Sequence, residues 1–183
     1  MEWSNHMVII SDFILNKTTK ADEFTIQPGI HNLLNTVKED HIFEDVKFPD
    51  VHPQSVLQKG AKISLKAGGF IESCVGIQEE YDVVATCFFL DTAFNVLEYI
   101  DTIHRVLKLG NLWVNIGPLL YHHSKDTDKI SIELSWEQIK RAMIKIGFVV
   151  ESEEVVDCWY CVEKNKLMNI AYKGVLFSAR KVK

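Results

Sequence analysis

The strongest constraint on what this chain can fold into is the apolar run Asp82-Val-Val-Ala-Thr-Cys-Phe-Phe-Leu90, rich in β-branched and aromatic side chains. A run of this kind reads as a strand buried on both faces of a parallel sheet. Residues 92–108 follow as a helix, with Val96, Leu97, Ile100, Ile103 and Leu107 on one face and Gly110 beyond as a stop. Leu112-Trp-Val-Asn-Ile116 is the next buried strand, ended by Gly117-Pro118. Ser135-Trp-Glu-Gln138 is a capping box opening a helix that runs to Gly147, a natural C-cap. Residues 148–156 and 173–180 then read as two strands. The order strand-helix-strand-helix-strand-strand implies an α/β fold, a doubly wound sheet closed by an antiparallel hairpin.

The first part of the chain is less legible. Residues 4–16 read as a short helix, with Met7, Ile10, Phe13 and Ile14 at helical spacing. From 17 to 66 the pattern weakens, and Phe48-Pro-Asp-Val-His-Pro53 cannot be regular structure. A connection of that length is functional or poorly ordered. The expectation is one domain over 1–183, with an irregular insertion at 17–66 and an α/β core from 67 onward.

Composition narrows the function classes. The 183 residues are 47% hydrophobic and 25% charged, enough for one domain with a sizeable core. No apolar run approaches the roughly 20 residues needed to cross a bilayer, so no membrane partner is expected. A net charge of −5 with scattered Lys and Arg argues against nucleic acid. Cys74 and Cys87 sit in apolar settings, as small buried hydrophobes do, which suits a reducing compartment, cytoplasmic or nuclear. Cys158 and Cys161 have C-x-x-C spacing, but no second pair of ligands follows, and chance spacing is the expected reading. No metal is expected.

In open α/β sheets, ligands collect at the carboxyl ends of the strands. Two such ends carry polar groups: Leu90-Asp91-Thr92, and Gly117-Pro-Leu-Leu-Tyr-His-His123. On composition alone, Asp91 with Thr92 is a helix N-cap, and His122 and His123 belong to a solvated loop.

The same segments carry a family resemblance. Asp82 to Val96, Tyr99-Ile-Asp-Thr-Ile103, Trp113-Val-Asn-Ile-Gly-Pro-Leu-Leu-Tyr-His122 and Ile132-Glu-Leu-Ser135 resemble the signature stretches of carnosine N-methyltransferases. Glu2-Trp-Ser4 and Phe48-Pro-Asp-Val51 match too, so the resemblance is collinear from Glu2 to Arg180. It implies a Rossmann-like class I methyltransferase sheet and transfer of a methyl group from S-adenosylmethionine to the imidazole of carnosine, giving anserine. Asp91 then becomes the catalytic carboxylate that holds the imidazole N–H, so that the other nitrogen faces the methyl group. Asp91, His122, Tyr160 and Tyr172 are implied at the dipeptide pocket. Glu2 is implied at the ribose hydroxyls and Phe70 beside the adenine.

Departures from the family pattern are equally specific. Gly69 stands where an adenine-reading Asp is expected, Phe94 replaces a histidine, and Ile170-Ala171 replaces two tyrosines. The turn after the signature helix is Leu109-Gly110-Asn111 instead of Pro-Gly-Gly. No glycine-rich donor-binding loop occurs in the 183 residues, so the first strand, that loop and the first helix are expected to be lacking. Strand edges left unpaired by such a gap invite association, a homodimer included. The sequence therefore predicts weak or no activity for the isolated chain. The alternatives are a non-catalytic paralogue or binding protein keeping the dipeptide pocket, and an enzyme for another histidine-containing substrate.

Overall fold

The computed structural model describes all residues except Gln58, Lys59, Thr127, Lys129, Cys161, Glu163 and Lys164, so half of the C-x-x-C pair lies outside the described residues. The chain divides into two units, Met1–Ser73 with Cys161–Asn169, and Cys74–Tyr160 with Ile170–Lys183.

In the first unit Ser4 caps α1 (Asn5–Lys17), its side chain accepting from the Met7 N–H at 3.5 Å. The helix was expected at 4–16, with an apolar face. It forms, yet none of its residues is buried, and Met7 and Ile10 are about half exposed. Phe13 instead joins a small ring cluster with Phe24 (5.1 Å) and Phe48 (6.4 Å). Those two rings come from β1 (Phe24–Ile26) and β2 (Val46–Phe48), an antiparallel pair inside the segment read as irregular. α2 (Pro53–Val56) begins on its proline, where the missing N–H costs nothing, and α3 (Phe70–Ser73) closes the segment.

The second unit holds β3 (Tyr81–Cys87), α4 (Val96–Val106), β4 (Leu107–Ile116), α5 (Trp136–Ile146), β5 (Phe148–Tyr160) and β6 (Ile170–Lys181). The strands lie in the order β3-β4-β6-β5, with β3 and β4 parallel and the other pairings antiparallel. This is the α/β sheet and closing hairpin expected from the sequence.

Four local readings are corrected. β3 is not buried on both faces: it lies at the edge of this sheet, with one neighbouring strand, and Val83, Ala85 and Cys87 are exposed. Cys87 is therefore not a buried hydrophobe, whereas Cys74 and Cys158 are buried. α4 starts later than read, because the side chain of Asn95 accepts from the Leu97 N–H at 3.0 Å and caps it there. At its other end Leu107 leaves the helix to pair with Tyr81. Gly110 (φ +81°) sits within β4, where the register slips between the Leu107 and Leu112 pairs, a bulge in place of a helix stop.

α5 follows its signals closely. Ser135 and Gln138 complete the capping box, and Gly147 ends the helix at φ +134°. Apolar faces of α4 and α5 supply Ile100, Ile103, Ile139 and Met143 to the core. Trp113 packs there against Phe148 (5.5 Å) and Phe177 (4.9 Å). Each such side chain is worth about 1.5–3 kcal/mol of burial. The buried Lys181 amine donates to the Leu107 carbonyl (2.9 Å) and to Glu79 (3.0 Å).

Candidate active site

The carboxyl ends of β3 and β4 are shaped by close backbone approach. Gly117 follows β4 at φ +156°, and a Cβ there would stand 2.9 Å from the backbone of Phe88. Gly174 on β6 is equally tight: its Cβ would meet the Cys158 sulfur at 2.7 Å and Gly117 at 3.4 Å. The Gly117 carbonyl accepts from the Val175 N–H at 2.8 Å, joining the end of β4 to β6. Beneath this junction, Trp113 donates to the Thr86 hydroxyl (2.9 Å), which contacts Asn115 Oδ1 (2.8 Å). Asn115 in turn donates to the Val175 carbonyl (3.1 Å). The buried polar groups under the strand ends are thus satisfied.

Asp91 sits in a single 3-10 turn, Leu90–Thr92, and is only 2% exposed. It does not cap α4, so the composition-based reading is overturned. Its Oδ2 accepts instead from the Leu120 N–H at 2.9 Å, across from the loop after β4. Its backbone carbonyl accepts from the His122 N–H at 2.9 Å. Burial pushes the Asp91 carboxyl above the usual carboxylate range, opposed by the Leu120 N–H and by the charge of His122. A buried carboxyl at a strand end is suited to receive a donor from a ligand.

Tyr160 and Tyr172 are diagonal neighbours on the β5–β6 hairpin, rings 5.8 Å apart and edge to face. Phe88 completes a three-ring group, 5.6 Å from Tyr160 and 5.8 Å from Tyr172. The sequence reading did not single out Phe88. Its left-handed backbone (φ +49°) beside Gly117 turns the chain immediately after β3, and no residue-type signal announces that. Tyr121 was also passed over. Its hydroxyl bridges the Leu134 carbonyl (2.7 Å) and N–H (3.0 Å), fixing the loop. His122 is exposed, as a solvated loop residue would be. His123 is not: its ring stacks on Phe94 at 3.5 Å.

The two residues expected at the donor site lie in the first unit. Glu2 forms an isolated parallel bridge with Ala67, and its Oε1 accepts from the Ser4 N–H at 2.7 Å. Phe70 opens α3 and is half-buried. The Glu72 carboxylate occupies the space that a side chain at Gly69 would need. Among the described residues no cluster of His, Cys, Asp or Glu could hold a metal ion. No helix among them is long and apolar enough to cross a membrane.

A parallel strand-helix-strand unit closed by an antiparallel hairpin, with its polar groups at the strand ends, is a Rossmann-like sheet of the class I methyltransferase type. The chain belongs to the carnosine N-methyltransferase family, which it matches over residues 1–183. It is 43% identical to carnosine N-methyltransferase of Rattus norvegicus over 98% of this chain and 45% of that protein. With the Dictyostelium discoideum protein of the same name it shares 41% identity, over 97% of this chain and 38% of that one. The chain thus spans less than half the length of these relatives. Among solved structures, an S-adenosylmethionine-dependent methyltransferase of Methanosarcina mazei is alike at TM-score 0.49 and 14% identity, covering 74% of this chain and 73% of that one.

Proposed function

We propose that this chain serves S-adenosylmethionine-dependent N-methylation of the carnosine imidazole, giving anserine, with Asp91 as the catalytic carboxylate. The observation that carries the reading is the 2% exposed Asp91, held at the end of β3 by the Leu120 N–H. A neutral imidazole has one N–H and one lone-pair nitrogen, and only the second can attack an electrophilic methyl. Asp91 accepts the N–H and fixes the tautomer. As the ring becomes cationic the same carboxylate stabilises it and takes up its proton. Phe88, Tyr160 and Tyr172 offer aromatic faces and two phenol groups to the dipeptide, with His122 at the rim.

S-adenosylmethionine supplies, when bound, a methyl group on a positively charged sulfur. By the family resemblance, the Glu2 carboxylate would accept from the ribose hydroxyls and Phe70 would offer an apolar face to the base. A cytoplasmic location belongs to the same reading.

The test is carnosine binding and methyl transfer by the full chain, compared with Asp91→Asn. Asp91→Asn should weaken carnosine binding and lower any turnover by about 10²–10⁴-fold with the fold intact. Wild-type behaviour of that variant would remove Asp91 from the mechanism. A wild-type chain that binds no carnosine would overturn the substrate assignment.

A further inference from the structure

We propose that the Phe94–His123 ring stack, locked by the His123–Asp126 pair, is a positioning clasp that keeps the Leu120 N–H on the Asp91 carboxylate. The proposal rests on the reading of Asp91 as the partner of the imidazole. Two short segments, 91–94 and 120–123, run beside each other and are joined at both ends. At one end Leu120 donates to Asp91 Oδ2 at 2.9 Å. At the other, the His123 ring lies on the Phe94 ring, centroids 3.5 Å apart and planes within 19°. Between them the His122 N–H donates to the Asp91 carbonyl at 2.9 Å. Two attachments three residues apart on each segment fix an orientation, where one attachment leaves a pivot.

The lock on His123 is local. Its Nδ1 lies 2.7 Å from Asp126 Oδ2, an i,i+3 pair within the same loop. The histidine is 26% exposed and Asp126 48%, so the contact itself contributes little, and its role is to set the ring plane. Phe94 is anchored independently, since its carbonyl accepts from the Ile132 N–H at 2.8 Å. An aromatic surface fixed by its own backbone thus receives a ring whose rotation is restrained by a carboxylate. Phe94 and His123 act on Asp91 through the backbone of their segments, so theirs is a positioning role.

The experiment follows the Leu120 amide and the Asp91 carboxyl by NMR in the full chain. His123→Ala should speed Leu120 amide exchange by about three- to tenfold, the range an aromatic pair of ordinary strength supports. It should also raise the Asp91 titration further, since an N–H that holds it down is loosened. His123→Phe keeps the stack and should leave exchange near wild type. Phe94→His combined with His123→Phe should likewise restore protection that Phe94→Leu loses. Should His123→Ala fail to fold, the Phe94→Leu and swap pair carries the same comparison. Unchanged Leu120 exchange and Asp91 titration in both single variants would overturn the clasp. Both readouts are independent of turnover, so they stand or fall apart from the assignment of Asp91 to catalysis. Where turnover is measurable, the clasp predicts a fall in kcat with KM little moved.

Discussion

The two units differ in how they use the same local signals. Each contains a helix opened by serine, Ser4 before α1 and Ser135 before α5, and each helix has apolar residues at helical spacing. α5 buries Ile139 and Met143 completely, while α1 buries nothing. All the described buried hydrophobic residues fall between Cys74 and Ala179, in the second unit. In the first, Trp3, Ile9, Leu33, Leu34, Leu167 and Met168 are all more than half exposed. Capping and periodicity are sufficient to make a helix, but its stability comes from what its apolar face meets.

The sharpest way to break this comparison is truncation in each unit. Trp113→Ala should cost about 3–5 kcal/mol in denaturant unfolding, with a cavity left among Phe148 and Phe177. Ile9→Ala on α1 should stay within about 0.5 kcal/mol. Equal costs would mean that the first unit is as well packed as the second.

Backbone strain gives the next effect. Gly147→Ala forces a side chain into φ +134° and against His104 Nε2 at 2.8 Å and the Lys183 carbonyl at 2.9 Å. A loss of about 1–3 kcal/mol is expected in thermal or chemical unfolding. Smaller again is the cap comparison. Ser135→Ala removes the hydroxyl that accepts from the Gln138 N–H, while the backbone N–H at 135 keeps its bond to the Gln138 side chain, and should cost about 0.5–2 kcal/mol. Ser4→Ala, whose bond to Met7 is 3.5 Å long on an exposed helix, should cost less.

The smallest effect is a slope in stability against pH. Burial raises the Asp91 carboxyl, so the folded state holds its proton to higher pH than the unfolded chain does. Stability should therefore fall as pH rises from the ordinary carboxylate value through the raised one, and stay lower above it. Asp91→Asn should flatten that slope and match or exceed wild-type stability near neutral pH. A variant that keeps the slope would place its origin in another group.

Elements whose signals were local were legible from residues alone. The Ser135 capping box, the stop at Gly147 and the end of β4 at Gly117 formed where the sequence placed them, and the closing hairpin formed with strands longer than the 148–156 and 173–180 read. Boundaries that depended on competition were not. The sequence reading placed the cap at Asp91-Thr92, but Asn95 caps α4, and the Asp91 carboxylate accepts from a partner 29 residues further on. β3 read as doubly buried because its composition is apolar, but composition carries no record of which strands flank it.

By itself, then, the sequence determined the α/β order, the capping box of α5 and the family, because these rest on spacing and on words of residues in line. It also marked Asp91, His122, Tyr160 and Tyr172 through resemblance. Only the tertiary structure decided that Asp91 is buried and held by Leu120, that Phe88 closes a ring group with the two tyrosines, and that His123 leaves solvent to stack on Phe94. These are contacts between segments tens of residues apart, made by a backbone N–H, a left-handed turn and a ring plane. None of the three leaves a periodic or compositional trace in the chain.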